Sequence, residues 1–262
     1  MKRNIKITIE YDGTNYGGWQ RQTNSPSIQE EIEEGLLRLT GERIIIEGAG
    51  RTDSGVHARG QVANFITTRS SIRSTRFARA LNTIIPEDIR ILKSEKVAND
   101  FHSRYCAKAR HYRYSIINRS SSIAIGRDYH YPVYMKLDKE PMIKAVELLK
   151  GTYDFRGFCS KGSEPNTTIR TVYDAKLSYR DSFFYFDIIG NAFLYNMVRI
   201  IVGTLIDIGK KKIPWEIIQD ILDSGDRGLA GATAPSRGLC LEKVYYNTET
   251  DDFVLDTLGT MY

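Results

Sequence analysis

Residues 48–65 read GAGRTDSGVHARGQVANF, a glycine-rich turn that carries one carboxylate, Asp53, and then continues into a stretch that reads as a strand. Glycine loops often bind phosphates, but this turn lacks the lysine that a P-loop requires. For an isolated aspartate in a turn, a solvated surface position is the simplest interpretation. The rest of the chain decides whether Asp53 has a chemical role.

The segments around this turn mix strands and helices. Four strands are predicted, at IKITIEYD (5–12), RIIIEG (43–48), QVANFITT (61–68) and DIRILKSEKV (88–97). Ser27 and Glu30 form a capping box that predicts a helix continuing to Thr40, and a second helix is predicted at 72–85. The resulting β-α-β-β-α-β order is compatible with a ferredoxin-like layer.

A similar order of elements follows in the rest of the chain. Strands are predicted at 110–117, 168–179 and 183–190, helices at 138–151, 192–209 and 214–223, and a glycine-rich loop from 226 leads into a last strand. We therefore predict an α+β fold of two ferredoxin-like α/β halves, 1–104 and 105–262. Their strands would join a mainly antiparallel sheet with helices on one side and a cleft between helical faces.

Length and composition favour an ordinary globular protein. The chain has 262 residues, and its three cysteines show no CxxC spacing, so they read as reduced thiols of a cytoplasmic protein. The N-terminus turns directly into strand-like alternation, which argues against a signal peptide, and no segment is long enough to span a bilayer.

The charge distribution indicates a nucleic-acid partner. The net charge is +5, and basic residues cluster twice: Arg69, Arg73, Arg76 and Arg79 in the first cluster, and Arg104, Lys108, Arg110, Arg113 and Arg119 in the second. Tyrosines interleave with the second cluster, as suits a phosphate backbone with unstacked bases. The alternative is a solvated basic strand edge that deters aggregation.

Several motif matches fail on inspection. The segment GTLIDIGKKK (203–212) has the wrong glycine spacing for a P-loop and lies inside an apolar helix. A magnesium site at the Asp12-Gly13 pair would need a second acidic motif, and the sequence has none. The four histidines lack metal-ligand spacing. The sequence therefore implies neither a metal nor a nucleotide cofactor.

Arginine and tyrosine residues remain as candidates beside Asp53. Arg199 projects from the apolar helix at 192–209, and a buried guanidinium without a partner is costly, so it should meet a carboxylate or a phosphate. Asp53 and Asp187 are the two candidate partners. In the strand at 110–117, alternation places Tyr112 on the face shared with the other apolar residues, where a core tyrosine is the alternative interpretation.

Together these segments resemble the TruA family of tRNA pseudouridine synthases. The resemblance rests on YDGTNYGGWQRQ with SIQEEIE, GAGRTDSGVHARGQVANF, DFHSRYCAKARHYRY, NAFLYNMVRIIVG and ATAPSRGLCLEKVYY, which cover most of the chain. The second segment is similar to the catalytic signature of the family. Ser54 replaces the alanine that is common there, and Asn196 stands where some members have histidine.

The resemblance implies a role for each candidate residue. Asp53 would be the nucleophile, Arg51 its neighbour in an RNA-binding cleft, Tyr112 the ring against the target base, and Arg199 the partner of Asp53. The same resemblance implies uridines 38 to 40 of the tRNA anticodon arm as targets, a homodimer, and no cofactor. His57 is expected to order the loop and not to act as a base.

Two alternatives keep the resemblance but change the activity. A catalytically inactive tRNA-binding module would have no need to keep Asp53, Tyr112 and Arg199 together. A paralogue that modifies another RNA position remains open on the sequence. A hydrolase using Asp53 would need a second positioned carboxylate or a metal, and the sequence marks neither.

Overall fold

The computed structural model describes residues 2–68, 71–162, 165–246, 253 and 255. The chain divides into two compact units, Met1–Lys108 with Cys240–Tyr246 and Ala109–Leu239 with Asn247–Tyr262. Neither unit is continuous in sequence, because the last strand returns to the first unit. Each unit is a mixed α+β arrangement with mainly antiparallel strands, which confirms the predicted fold class at that level.

Ten strands and five α-helices are formed by the described residues. The strands are β1 (Arg3–Tyr11), β2 (Glu47–Gly48), β3 (His57–Thr67), β4 (Ile89–Val97), β5 (Ala109–Asn118), β6 (Tyr131–Val133), β7 (Gly151–Asp154), β8 (Ile169–Arg180), β9 (Phe183–Gly190) and β10 (Leu239–Tyr245). The helices are α1 (Ile28–Thr40), α2 (Phe77–Leu81), α3 (Lys139–Glu147), α4 (Met197–Gly209) and α5 (Ile217–Ser224). Among these helices none is long and apolar enough to cross a membrane.

In the first unit the strand order is β4-β1-β3-β10, with β2 also paired to β3. Strand β1 is antiparallel to both neighbours, whereas β10 pairs with β3 in parallel, with Cys240 opposite His57. Alternate residues of β1, such as Ile5 and Ile7, are fully buried, as expected for a strand with one face in the core. The β10 pairing places the last strand beside the residues that follow the Asp53 turn.

Helix α1 forms as predicted. The Ser27 hydroxyl accepts a hydrogen bond from the Glu30 backbone N–H, which satisfies one of the free donors at the helix N-terminus. Ile28, Ile32 and Leu36 recur on one face and are fully buried.

Two predictions in the first unit need correction. Residues 43–46 are not a strand: only Glu47–Gly48 pairs with β3, because the Ile46 N–H donates to the Glu33 carboxylate and not to a neighbouring strand. The helix predicted at 72–85 is a 3-10 turn at Ser74–Arg76 followed by α2. It ends early because the Asn82 side chain bonds to the backbone N–H and carbonyl of Ile91 on β4.

In the second unit the strand order is β5-β9-β8-β7, all antiparallel, and β6 pairs with β5 in parallel. Tyr114 of β5 and Ile188 of β9 are fully buried, as are Ile200 and Ile201 of α4. The alternation predicted for β5 is confirmed, with Tyr112, Tyr114 and Ile116 on the buried face.

The predicted helix boundaries of the second unit differ from the observed ones. Helix α4 begins at Met197 and not at 192, because Asn196 has a left-handed backbone with φ of 60° that ends the preceding turn. Helix α3 ends at Glu147, and Gly151 already belongs to β7. Strands β6 and β7 are too short for alternation to reveal them, and the sequence did not predict them.

Candidate active site

Asp53 lies in the loop between β2 and β3 of the first unit. Its side chain is half-buried, the preceding Thr52 is buried and Arg51 is exposed. Among the described residues the Arg51 guanidinium makes no hydrogen bond or ion pair, which leaves its donors available to a ligand such as RNA.

Main-chain hydrogen bonds hold this loop on both sides of Asp53. On one side the Trp19 N–H donates to the Thr52 carbonyl at 3.0 Å. On the other side the Gly55 N–H donates to the Tyr16 carbonyl at 3.3 Å. The segment 16–19 therefore braces the loop before and after the carboxylate.

Side chains add to this brace. The Tyr11 and Thr52 hydroxyls lie 2.7 Å apart and share a hydrogen bond, and the Ser54 hydroxyl donates to the Tyr16 carbonyl at 3.2 Å. Ser54, which departs from the TruA pattern, thus contributes a hydrogen bond that alanine cannot make. Burial and a hydrogen bond to Asp88 raise the pKa of Tyr16 above its usual value, so its phenol stays protonated and donates.

Two glycines permit the close approach of these segments. Gly18 has a φ of +113°, and a Cβ there would lie 2.5 Å from the Thr52 carbonyl oxygen. A Cβ on Gly13 would lie 2.0 Å from the Val56 carbonyl oxygen. Any side chain at either position would push the Asp53 loop away from its support.

His57 begins β3 and is 5 % exposed. Its Nδ1 accepts a hydrogen bond from the Gly13 N–H at 3.1 Å, and the Asp12 carboxylate lies 3.1 Å from the same nitrogen. The bond from the Gly13 N–H requires a free lone pair on Nδ1, so Nδ1 carries no proton while this bond is formed. A buried ring used in this way orders the loop.

Tyr112 lies on β5 of the second unit, opposite Ile188. It is 8 % exposed, and its ring meets that of Phe193 edge-on with 5.2 Å between centroids. The neighbouring strand and Phe193 thus limit the positions that the Tyr112 ring can take.

Arg199 lies in the first turn of α4 and is half-buried. Its Nε donates to the Ala234 carbonyl at 2.8 Å, and its Nη1 donates to the Asn196 side-chain oxygen at 2.7 Å. Asn196 in turn donates to the Ser160 hydroxyl. The orientation of the guanidinium is therefore fixed by residues that the sequence alone did not reveal as functional.

Asp187, the alternative partner of Arg199, is bonded elsewhere. Its carboxylate contacts His111 Nε2 at 2.7 Å, Arg113 Nε at 2.8 Å and Arg113 Nη2 at 3.2 Å, and the residue is 4 % exposed. Burial alone raises the pKa of Asp187, but the hydrogen bonds from His111 and Arg113 outweigh it and lower the pKa. This cluster stabilises the pairing of β5 and β9.

The two arginine clusters differ in their use. In the second cluster, Arg113 bonds to Asp187, Arg110 to the Asn191 carbonyl, and Arg119 to the Ser121 and Ser122 carbonyls. These three guanidinium groups support the fold of the second unit, whereas Arg104 and Lys108 of the same cluster are exposed. The interpretation of the cluster as an RNA-binding surface stays a prediction.

The structure thus places Asp53 and Arg51 in one braced loop of the first unit, and Tyr112 and Arg199 in the second unit. In the part of the chain that the structure describes, no group of three or more histidine, cysteine, aspartate or glutamate side chains could hold a metal ion.

The chain is similar to known proteins over most of its length. It matches a family model described as tRNA pseudouridine synthase over residues 7–106 and 145–247. A relative named tRNA pseudouridine synthase A from Acetivibrio thermocellus is 50 % identical over 93 % of this chain and 100 % of its own. Relatives of the same name from Moorella thermoacetica and Clostridium kluyveri are 48 % and 46 % identical, over 92 % and 93 % of this chain and 99 % and 100 % of their own.

The family model and these relatives identify the chain as an RNA-modifying isomerase with an α+β fold. The chain belongs to the tRNA pseudouridine synthase family, whose members are isomerases that act on tRNA. This confirms the resemblance at the family level and the predicted class of reaction.

Proposed function

We propose that the chain converts uridine to pseudouridine in the anticodon arm of tRNA, at positions 38, 39 and 40, with Asp53 as the nucleophile. The observation that carries the proposal is the brace around Asp53, with Trp19 N–H on Thr52 and Tyr16 carbonyl on Gly55. A carboxylate that is held on both sides at the backbone is preorganised for attack, because little motion remains to be lost in the transition state.

The reaction redistributes bonds within one nucleotide. The N1–C1′ bond breaks with its electron pair on the uracil, the base rotates, and C5 bonds to C1′. The hydrogen on C5 then leaves as a proton, and N1 gains one, so nothing is oxidised or reduced.

Asp53 has two routes open within this scheme. As an anion it either attacks C1′ and is later displaced by C5, or it removes a proton from the sugar. Both routes need the charged form. In the proposal Arg199 serves as its cationic partner, since an adjacent guanidinium favours the carboxylate anion in a site with little water.

Tyr112 and Arg51 are assigned to substrate binding. The target base must leave its stack, at a cost of a few kcal/mol, and the Tyr112 ring offsets part of this cost by stacking on the base. The exposed Arg51 contacts a phosphate beside the reacting nucleotide. The Tyr112 hydroxyl is in addition a candidate to receive the C5 proton.

The wider arrangement follows the sequence prediction. The proposal includes two ferredoxin-like halves with an RNA-binding cleft, a homodimer that holds one tRNA, and action in the cytoplasm without a cofactor. The homodimer follows from resemblance to the TruA family, and size-exclusion chromatography coupled to light scattering tests it. The two halves follow from the predicted element order, and the location and the missing cofactor follow from the cysteines and the failed motifs.

The experiment that tests the reaction is tritium release from tRNA transcripts labelled at uracil C5. Forming the C5–C1′ bond expels that hydrogen, whereas RNA binding or glycosidic cleavage does not. Release by the wild-type protein, followed by mapping of the modified positions, establishes the reaction and its targets. Bound tRNA without release would favour an inactive binding module, and release mapped outside positions 38–40 would favour a paralogue.

A further inference from the structure

Three residues of the first arginine cluster have no partner among the described residues, and the fourth, Arg69, lies outside the described ranges. Arg73, Arg76 and Arg79 are exposed, and in the described ranges their guanidinium groups form no hydrogen bond or ion pair. We call these three residues the arginine strip. Each guanidinium has five N–H donors, so three neighbouring groups without a protein partner can bind an external anion. Arg110, Arg113 and Arg119 instead bond to acceptors of their own unit.

The spacing puts Arg76 and Arg79 on one side of their segment. Arg73 precedes the 3-10 turn, Arg76 ends it and Arg79 lies in α2. Residues three apart on a helical segment are neighbours, so Arg76 and Arg79 lie on the same side, and the exposed Arg73 lies at the N-terminal end of the segment.

The backbone under the strip is firmly anchored. Phe77 and Leu81, on the opposite side of the segment, are fully buried, and the Phe77 ring packs edge-on against Phe65 at 5.3 Å. The Ala78 N–H donates to the Ser94 hydroxyl at 3.0 Å. The backbone that carries the strip is therefore fixed, so binding of a ligand costs little ordering entropy in the backbone.

Acidic residues of the adjacent strand do not neutralise the strip. Glu95 of β4 is already held by Lys6 at 2.8 Å and Lys93 at 2.7 Å, and hydrogen bonds from these lysines lower its pKa. Both carboxylate oxygens of Glu95 are thus paired with lysines, so Glu95 does not cancel the positive charge of the strip.

The chemistry around the strip fits a phosphate backbone better than a protein. The exposed neighbours Ser71 and Thr75 are small and polar, and no large apolar side chain is exposed between residues 71 and 83. Protein interfaces of useful affinity need aromatic or aliphatic anchors, whereas contacts to phosphates need only cations and small donors.

We propose that Arg73, Arg76 and Arg79 form a docking surface for the phosphate backbone of tRNA, separate from the Asp53 loop. The inference rests on the proposed function, because it takes tRNA as the polyanion. The strip supplies affinity without reading sequence, since contacts to phosphates carry no base information.

The test compares three variants in binding to an unmodified tRNA transcript across a series of KCl concentrations. The first is the triple variant R73Q/R76Q/R79Q, and the second, R73K/R76K/R79K, keeps the charge. The third, K2Q/R38Q/R43Q, is the matched control: it removes three exposed cations of the same unit that have no partner in the described ranges.

We expect the triple glutamine variant to bind tRNA at least about tenfold more weakly at 0.1 M KCl than the control variant does. Its plot of log K against log salt should be shallower by about 2 to 3, because each lost phosphate contact removes about 0.7 to 0.9 from the slope. The lysine variant should stay close to the wild type. Unchanged thermal unfolding in all three variants verifies that the fold is intact.

Equal affinity and equal slope in the glutamine and control variants would overturn the proposal, and the strip would then be free for another partner such as an acidic protein surface. Lysine and glutamine variants that are equally weak would also contradict it. Tritium release by the wild type separates the two proposals. If the wild type releases tritium but the glutamine and control variants bind tRNA equally well, only the docking surface is contradicted. If tRNA binding depends on the strip but the wild type releases no tritium, only the proposed reaction is contradicted.

Discussion

The backbone N–H of Trp19 donates to the carbonyl oxygen of Thr52 at 3.0 Å, which ties the residue before Asp53 to a segment more than thirty positions earlier in the chain. The conformation of the candidate catalytic loop is therefore decided by the turn after β1. Changes in that turn should act on catalysis although its residues carry no reacting group.

Substitution of Gly18 by alanine tests this relationship. The positive φ and the contact with Thr52 at 2.5 Å should destabilise the protein by about 2 kcal/mol or more and displace Asp53. Urea unfolding and tritium release measure the two effects. Gly50→Ala is the matched control, because a Cβ there meets nothing within 4 Å. Equal behaviour of the two variants would show that the brace does not position the loop.

Asp53→Asn should abolish turnover and leave tRNA affinity nearly unchanged. The amide keeps the shape of the carboxylate but loses its charge and nucleophilicity, so we expect at least about a thousandfold loss of tritium release. Filter binding with the same transcript measures affinity. Parallel losses of activity and of the folded state would contradict a purely chemical role.

Arg199→Met should lower activity more than RNA binding. Without the guanidinium, the Asp53 anion loses its proposed cationic partner, so activity should fall at neutral and at mildly acidic pH while tRNA affinity changes little. Arg227→Met, which removes a guanidinium bonded to the Ala230 carbonyl of the same unit, is the control. A pH profile of the Arg199 variant that matches the wild type from neutral to mildly acidic conditions would argue against the proposed ion pair.

Tyr112 offers a distinction between stacking and proton transfer. If the ring only stacks on the base, Tyr112→Phe retains activity. Tyr112→Leu then loses about 1–3 kcal/mol of binding to the flipped base, which corresponds to a roughly 5- to 150-fold drop in kcat/KM. If the hydroxyl receives the C5 proton, the phenylalanine variant also loses tritium release. Full activity of the leucine variant would remove Tyr112 from the site.

The Asp187 cluster predicts an acid-sensitive contribution to stability. Because the folded-state pKa of Asp187 lies below the unfolded value, its contribution is complete above about pH 4 and is lost as the pH falls through the folded value. Asp187→Asn should cost about 3 kcal/mol at neutral pH, since it leaves the half-buried Arg113 and His111 without the anion. The gap to the wild type should narrow below pH 4.

Urea unfolding at pH 7 and at pH 3 measures this dependence. Asp181→Asn is the control, because that side chain is 86 % exposed in its contact with Arg180. A gap between the wild type and Asp187→Asn that is the same at both pH values would mean that the carboxylate charge adds nothing to stability.

The sequence predicted correctly those helices and strands that are determined by residues close together in the chain. The Ser27–Glu30 cap, the alternation in β1 and β5, and the two strands β8 and β9 need only neighbouring residues, and all are present. The same signals failed at 43–46 and at 72–85. At 43–46 the Glu33 side chain of α1 accepts the Ile46 N–H, and at 72–85 the Asn82 side chain bonds to the backbone of Ile91 on β4.

The sequence by itself determined the family of this chain, the position of Asp53 in a glycine-rich turn, and the two arginine clusters. Only the tertiary structure decided that Trp19 and Tyr16 brace the turn, that Asn196 orients Arg199, and that β10 returns to pair with β3. It also decided that Arg73, Arg76 and Arg79 have no partner in the part of the chain that the structure describes. The physical reason is that a backbone or guanidinium donor bonds to whichever acceptor the fold brings within about 3 Å, and separation along the chain does not encode that distance.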